Sequence, residues 1–483
     1  MKSVIEGLKP AKVWEHFYQV SQIPRGSGNE EAMGEYVISV AKKNNLQYKK
    51  DSLGNVVVMQ PATPGFENRP TVIIQGHTDM VCEKNNDTIH DFEKDPIKLV
   101  RNGDWIKADG TTLGADNGIG FCCGLAIMDD DSIEHPAMEY LFTVDEETGL
   151  TGAAGLSQDF VKGRIMLNLD SEEEGALYIG CAGGKHTILR RKIELENTPT
   201  GLKAMKIKIG GLSGGHSGLN IDQGLGNSIK LISRLLYNLK SKMEYRLANI
   251  NAGNKHNAIP REAESTILIS ANDEKTLNEF AQKMDEIYKF ELKFIDKSVF
   301  VKIESADPVE KVLSKNLEGD LIRLLYSIPH GVQAMSHAIK GLVETSTNMA
   351  IVETNADHIK LLTSQRSSVA TSITDIADKV KAIGELSGFE VEQGGGYPAW
   401  QPNPDSPLLK LAIETYKEKT GKEPEVKAIH AGLECGLIGE KYPGIDMLSF
   451  GPTIEGAHSP DERVKIEDVE KIWDFLLELL KKV

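Results

Sequence analysis

Four short runs that read as strands, mostly apolar at 71–75, 140–144 and 165–169 and mixed at 446–449, constrain this chain more than any other feature. A mostly apolar sequence over so short a span is consistent with a strand buried on both faces. Stretches with helical periodicity stand between the runs. Together they predict a mostly parallel sheet covered by helices, an α/β fold. Each run leads into polar residues. The first ends in Gly76-His77-Thr78-Asp79, the second in Asp145-Glu146-Glu147-Thr148-Gly149, and the third in Asp170. The fourth leads through Gly451-Pro452 to His458, and Leu113-Gly114-Ala115-Asp116-Asn117 precedes a predicted helix over 117–128. In open α/β sheets sites form beyond the carboxyl ends of the strands, so these groups are expected along one edge.

A length of 483 residues predicts two to three domains. Lys and Arg number 55 against 71 Asp and Glu, a net charge of −16, which argues against a general nucleic-acid binder. No run approaches the roughly 20 apolar residues of a membrane span. The first 17 residues lack the apolar core of a signal peptide. The five cysteines, at 82, 122, 123, 181 and 435, are scattered and include no C-x-x-C pair. No disulfide framework is expected; Cys122 and Cys123, inside an apolar run, read as buried thiols. A cytoplasmic location fits this usage.

The texture changes near residue 186. From there to about 396 the strands are longer and alternate, as at 205–209 and 264–270, with helices predicted over 227–239, 274–288 and 372–386. Two β-α-β-like halves, roughly 200–295 and 340–396, suggest a repeated ferredoxin-like unit; two unrelated α+β stretches are the alternative. Gly394-Gly395-Gly396-Tyr397-Pro398 reads as a break, and near the start Ser27-Gly28-Asn29-Glu30 reads as a capping box. After residue 396 the βα alternation returns. The expected architecture is a catalytic domain, 1–185 and 397–483, interrupted by an inserted α+β domain, 186–396.

Taken singly, these polar residues have ordinary readings: a turn histidine, a solvated Glu-Glu pair, a helix-capping Asp. Taken together, two imidazoles and three carboxylates are the ligand types of a two-metal hydrolytic site. One carboxylate could bridge two ions roughly 3.5–4 Å apart. Two divalent ions also balance three carboxylates and one hydroxide.

The motifs around His77, Asp116, Glu146 and His458 resemble those of the di-zinc metallopeptidases of clan MH, and within it the aminoacyl-histidine dipeptidases. The resemblance covers the whole chain. It implies that His77, Asp116 and Asp170 hold one zinc ion and that Asp116, Glu147 and His458 hold the other, with Asp116 bridging. Asp79 would orient His77. Glu146 would be the general base acting on the water between the metals. The inserted domain would be a lid whose His216, in Gly214-Gly215-His216-Ser217-Gly218, donates to the oxyanion. Asn257 and Arg366 match lid residues that contact substrate. Arg366 is expected to grip its C-terminal carboxylate, since a guanidinium fork pairs with a carboxylate bidentately. Gly432 and Glu434, in His430-Ala431-Gly432-Leu433-Glu434, match a pocket-lining loop, with Glu434 for the free α-amino group. The peptide bond after the bridging Asp, here Asp116–Asn117, is often cis in the family.

The implied activity is hydrolysis of X-His and broader dipeptides with two zinc ions per chain. Manganese or cobalt would suit the same ligands. An aminoacylase or carboxypeptidase on this scaffold is the alternative, and a non-catalytic peptide-binding module the third reading. No nucleic-acid or membrane partner is expected. Relatives with one lid unit often dimerise, so a homodimer is one expected state, whereas a doubled lid would supply its own second half.

Overall fold

The computed structural model describes residues 2–483, which form two compact units. The first comprises Met1–Gly180, Pro402–Ala428 and Leu433–Val483; the second comprises Cys181–Gln401 and Ile429–Gly432.

The first unit is built on an eight-stranded sheet ordered Gln47–Lys50, Val56–Gln60, Met138–Thr143, Val72–His77, Ile165–Asn168, Asp446–Ser449, Ala176–Cys181 and Glu425–Ile429. The four runs are its adjacent central strands, from Met138–Thr143 to Asp446–Ser449, and all pair in parallel. Every residue of Val72–His77 and Met138–Thr143 is buried, as expected of strands covered on both faces. The hairpin side of the sheet is antiparallel. Ala115–Met128 is apolar around nearly its whole circumference and buried accordingly. It lies so close to the sheet edge that a Cβ on Gly120 would fall 2.0 Å from the Leu169 carbonyl oxygen; only glycine fits there. The Asp116–Asn117 bond at its start is cis.

The second unit carries a nine-stranded sheet in which every recorded pairing is antiparallel. Leu202–Gly210, Ser228–Leu239, Arg246–Ala252, Ala263–Ser270, Glu274–Glu291 and Phe300–Ser305 run β-α-β-β-α-β, with strand order 4-1-3-2. Gly183–Lys192, Lys315–Ser327, Val343–Thr354, His358–Ser367, Ala370–Leu386 and Glu390–Tyr397 repeat that sequence and that order. The unit is therefore a doubled ferredoxin-like fold, joined where Ala252 pairs with Val352. The second half begins at Gly183, not near 340, because the whole first half is inserted after its first strand. Ile207, Ile232, Leu236, Leu277, Leu321, Leu361 and Val380 are among the residues of one shared core on the helical side.

Two turn signals read from sequence are corrected. Gly394-Gly395-Gly396 is no break but part of the strand Glu390–Tyr397, with a bulge between Gly394 and Gly396. Glycine is needed because a Cβ at Gly396 would lie 2.2 Å from the Gly184 carbonyl oxygen. Ser27-Gly28-Asn29-Glu30 caps nothing: the helix Glu31–Lys43 has no side-chain cap. The Ser27 hydroxyl donates instead to Asp79 Oδ2 at 2.8 Å, and Glu30 accepts the Asp145 N–H at 2.9 Å. No helix of the described residues is long and apolar enough to cross a membrane. None of the five cysteines forms a disulfide, and Cys122 and Cys123 are buried.

Candidate metal centre

The parallel strands end together, and their chemistry ends with them. His77 is the last residue of its strand; Glu146 and Glu147 follow the strand Met138–Thr143, and Asp170 follows Ile165–Asn168. Asp145, directly before the pair, has a left-handed backbone (φ 55°), as does His458 (φ 61°). Such strain in non-glycine residues is held only where surrounding contacts dictate it.

Four groups of candidate ligands result among the described residues, two of which share Asp116: His77, Asp116 and Asp170, and Asp116, Glu147 and His458; the others are His77, Glu146 and Glu147, and Glu30, Asp79 and Asp145. Asp116 belongs to the first two through different oxygens. Oδ1 lies 3.3 Å from His77 Nε2 and Oδ2 lies 3.1 Å from His458 Nε2. Each imidazole nitrogen also faces a second carboxylate: His77 Nε2 is 3.1 Å from Asp170 Oδ1, and His458 Nε2 is 3.1 Å from Glu147 Oε2. One ring nitrogen offers at most one N–H, so it cannot serve two carboxylates at once. Buried Glu147 Oε1 and Asp170 Oδ1 have no hydrogen-bond partner. Cations resolve both deficits, so the residues present fit a metal site.

Second contacts fix the histidine. Asp79 Oδ1, fully buried, lies 3.2 Å from His77 Nδ1. With the proton on Nδ1, the Nε2 lone pair is left for a cation. The backbone N–H groups of Glu146 and Glu147 donate to Asp79 at 3.1 and 3.2 Å, which ties the acidic pair to the same carboxylate. Burial opposes charge on Asp79, but the bonds from His77, Ser27 and Glu146 outweigh it and hold Asp79 down at about 2.

Two neighbouring acids are held up by burial. Burial pushes Asp170 up to about 7, with Asp116 and Glu147 adding to it, and holds Glu146 well above the ordinary carboxylate range. Hydrogen bonds to Asp116 and Glu147 push His458 up to about 11.

Two residues that hold this edge together carried no assigned role in the sequence. Glu462 is buried and its carboxylate accepts the N–H groups of Leu113, Gly114, Ala115 and Asp116, at 2.7, 2.9, 2.7 and 3.3 Å. It thereby shapes the turn that presents Asp116. Arg25, 2% exposed, donates to the carbonyls of Thr78 and Gly114 on either side. Glu462 follows His458 by four residues, which was a usable signal; Arg25 had none. Glu434 is fully buried: Oε2 accepts from Gln75 and Thr143, each at 2.6 Å, Oε1 has no partner, and burial pushes its carboxyl up to about 7.

The remaining expected residues lie in the second unit. His216 pairs with Ala258 in a short ladder next to Asn257, and both line a cavity of about 990 Å³. His216 Nδ1 accepts the N–H groups of Gly218 and Leu219 at 3.3 and 3.1 Å, so a neutral ring carries its proton on Nε2. Arg366 is 7% exposed and donates to the Tyr397 hydroxyl at 2.7 Å, and a Cβ on Gly432 would lie 2.5 Å from the Tyr397 ring.

Comparison with known proteins agrees with this geometry. The model of peptidase family M20/M25/M40 matches residues 73–482. The chain is 41% identical over 481 residues to the cytosol non-specific dipeptidase of Escherichia coli, covering 100% of this chain and 99% of that protein. The solved structure of the aminoacylhistidine dipeptidase from Vibrio alginolyticus superposes with a TM-score of 0.91 at 40% identity, over 99% of this chain and 98% of that one. An aminopeptidase from Bacillus cereus, at 14% identity and a TM-score of 0.58 over 98% of this chain and 99% of that one, shares the fold.

Proposed function

This chain belongs to peptidase family M20/M25/M40, and we propose that it is a di-zinc dipeptidase acting on X-His and other dipeptides. The observation that carries the reading is Asp116, whose two oxygens serve two separate histidine–carboxylate groups. His77, Asp116 and Asp170 would hold one ion, and Asp116, Glu147 and His458 the other. When bound, such ions act as Lewis acids and bring a water's pKa to about 7.

The chain's own residues do the rest. Asp79 fixes the His77 tautomer and, through two backbone N–H groups, the position of Glu146 and Glu147. Glu146 is the general base: its carboxylate takes the proton of the attacking water and passes it to the leaving amine. His216, with its proton on Nε2, donates to the oxyanion. Arg366 holds the substrate carboxylate, Asn257 and the Gly432 backbone line the substrate, and Glu434 Oε1 takes the free α-ammonium. That last assignment is supported by a fully buried carboxyl oxygen that has no hydrogen-bond partner.

The test is a dipeptide panel on purified protein, each dipeptide compared with its N-acetylated form, with metal content measured on the same sample. Two metals per chain and a strong preference for the free amine are expected. Preference for the acetylated forms would make the chain an aminoacylase or carboxypeptidase. One metal at saturating zinc would remove the bridging role of Asp116.

A further inference from the structure

One row of residues crosses four neighbouring strands of the second unit. Ser346 stands opposite Arg366, Arg366 opposite Gly184, and Gly184 opposite Tyr397. Residues directly opposite one another project to the same face of a sheet, so Ser346, Arg366 and Tyr397 share one face. Arg366 and Tyr397 sit two strands apart, roughly 9–10 Å at ordinary spacing. A side chain on the strand between them would stand in the way, and the residue there is glycine. Across that lane Arg366 Nη1 donates to the Tyr397 hydroxyl at 2.7 Å.

The phenol end of Tyr397 is itself fixed. A Cβ on Gly184 would lie 2.9 Å from Cε1, and one on Gly432 2.5 Å from Cε2. The ring is thus held between two positions that tolerate no side chain, one on a strand and one on the segment Ile429–Gly432. That segment is pinned at the other end of the row, where His430 Nε2 lies 2.7 Å from Ser346 Oγ. It also accepts the Ala182 N–H through the Ile429 and Ala431 carbonyls, both at 3.0 Å. Arg366 is 7% exposed and its Nε has no partner. One end of the guanidinium is fixed and another donor is left unused.

We propose that Tyr397 is the positioning residue of Arg366: its hydroxyl takes one N–H and turns the fork so that the remaining donors face a substrate carboxylate. Gly184 keeps the lane open and Gly432 holds the ring. This inference rests on the reading of Arg366 as the carboxylate clamp. A pre-ordered fork spares binding the cost of immobilising a long side chain, and that saving is common to ground and transition states.

The test uses full-length, metal-loaded protein, with steady-state kinetics on a dipeptide and on its C-terminal amide. Tyr397→Phe should raise KM for the dipeptide about three- to tenfold, leave kcat within about twofold, and leave the amide unaffected. Gly184→Ala, which keeps the hydroxyl but blocks the lane, should give the same signature. In an Arg366→Ala background Tyr397→Phe should add nothing. If Arg366→Ala raises KM but Tyr397→Phe and Gly184→Ala do not, the positioning role is wrong and the clamp stands. If Arg366→Ala leaves the dipeptide-to-amide ratio unchanged, the clamp itself fails, and this inference with it. Equal losses of kcat on acid and amide would make Tyr397 a packing residue only.

Discussion

In the first unit the candidate site residues lie at strand ends; in the second they lie in a row across strands. His77, the Glu146-Glu147 pair and Asp170 each sit at or just past the end of a parallel strand, so one edge collects them. Arg366, Gly184 and Tyr397 come from three antiparallel strands and meet only because the register aligns them. The first arrangement suits ligands of a compact ion, since parallel strands in register end at nearly one point. The second suits an extended substrate, since a sheet face offers donors spaced by whole strand separations. The first gathers carboxylates and imidazoles, while the second presents one guanidinium beside a phenol.

Breaking the first unit should have the largest consequences. Asp116→Ala should lose both metals together, leaving metal content near zero, whereas His458→Ala should weaken mainly one site; metal analysis after dialysis reads this directly. Glu146→Gln leaves the five proposed ligands in place and should lower kcat by at least about 10²–10⁴-fold with metal content unchanged. Wild-type turnover in that variant would dismiss Glu146 as the base.

Breaking the second unit should spare the metals. His216→Ala should lower kcat by about 10²–10³-fold at full metal content; a kcat within about threefold of wild type would take the second unit out of the chemistry. Arg366→Ala should act mostly on KM and narrow the gap between a dipeptide and its C-terminal amide, because a clamp holds ground and transition states alike.

The smallest effect sharpens the comparison. Glu462→Gln keeps size and removes charge from a buried acceptor of four backbone N–H groups. A stability loss of about 1–3 kcal/mol is expected, with weaker metal binding, because the turn carrying Asp116 loosens. Thermal melts with and without added zinc check this: zinc should recover part of the loss. An unchanged Tm would show that the turn holds itself.

The central parallel strands, their order of appearance and the residues at their ends were legible because both signals are local. An apolar run of four or five residues can be read in place, and the polar residue that follows it is its neighbour in sequence. The capping box at Ser27–Glu30 was misread for the same reason. The local pattern was present, but Ser27 and Glu30 bond to Asp79 and to the Asp145 N–H, partners 52 and 115 residues away. The doubling of the second unit was only half legible, since its second half starts at Gly183 and resumes after an insertion of more than a hundred residues.

What the sequence determined by itself was a parallel sheet with histidines and acids at its carboxyl edge, because burial on both faces and the strand-end position are properties of contiguous residues. Tertiary structure alone decided that Asp116 turns one oxygen to each histidine, that Glu462 and Arg25 brace its turn, and that Ile429–Gly432 returns to the second unit to pack on Tyr397. Each depends on register and on the close approach of segments far apart in the chain. Strand pairing and packing density set such contacts, and no local pattern of residues encodes them.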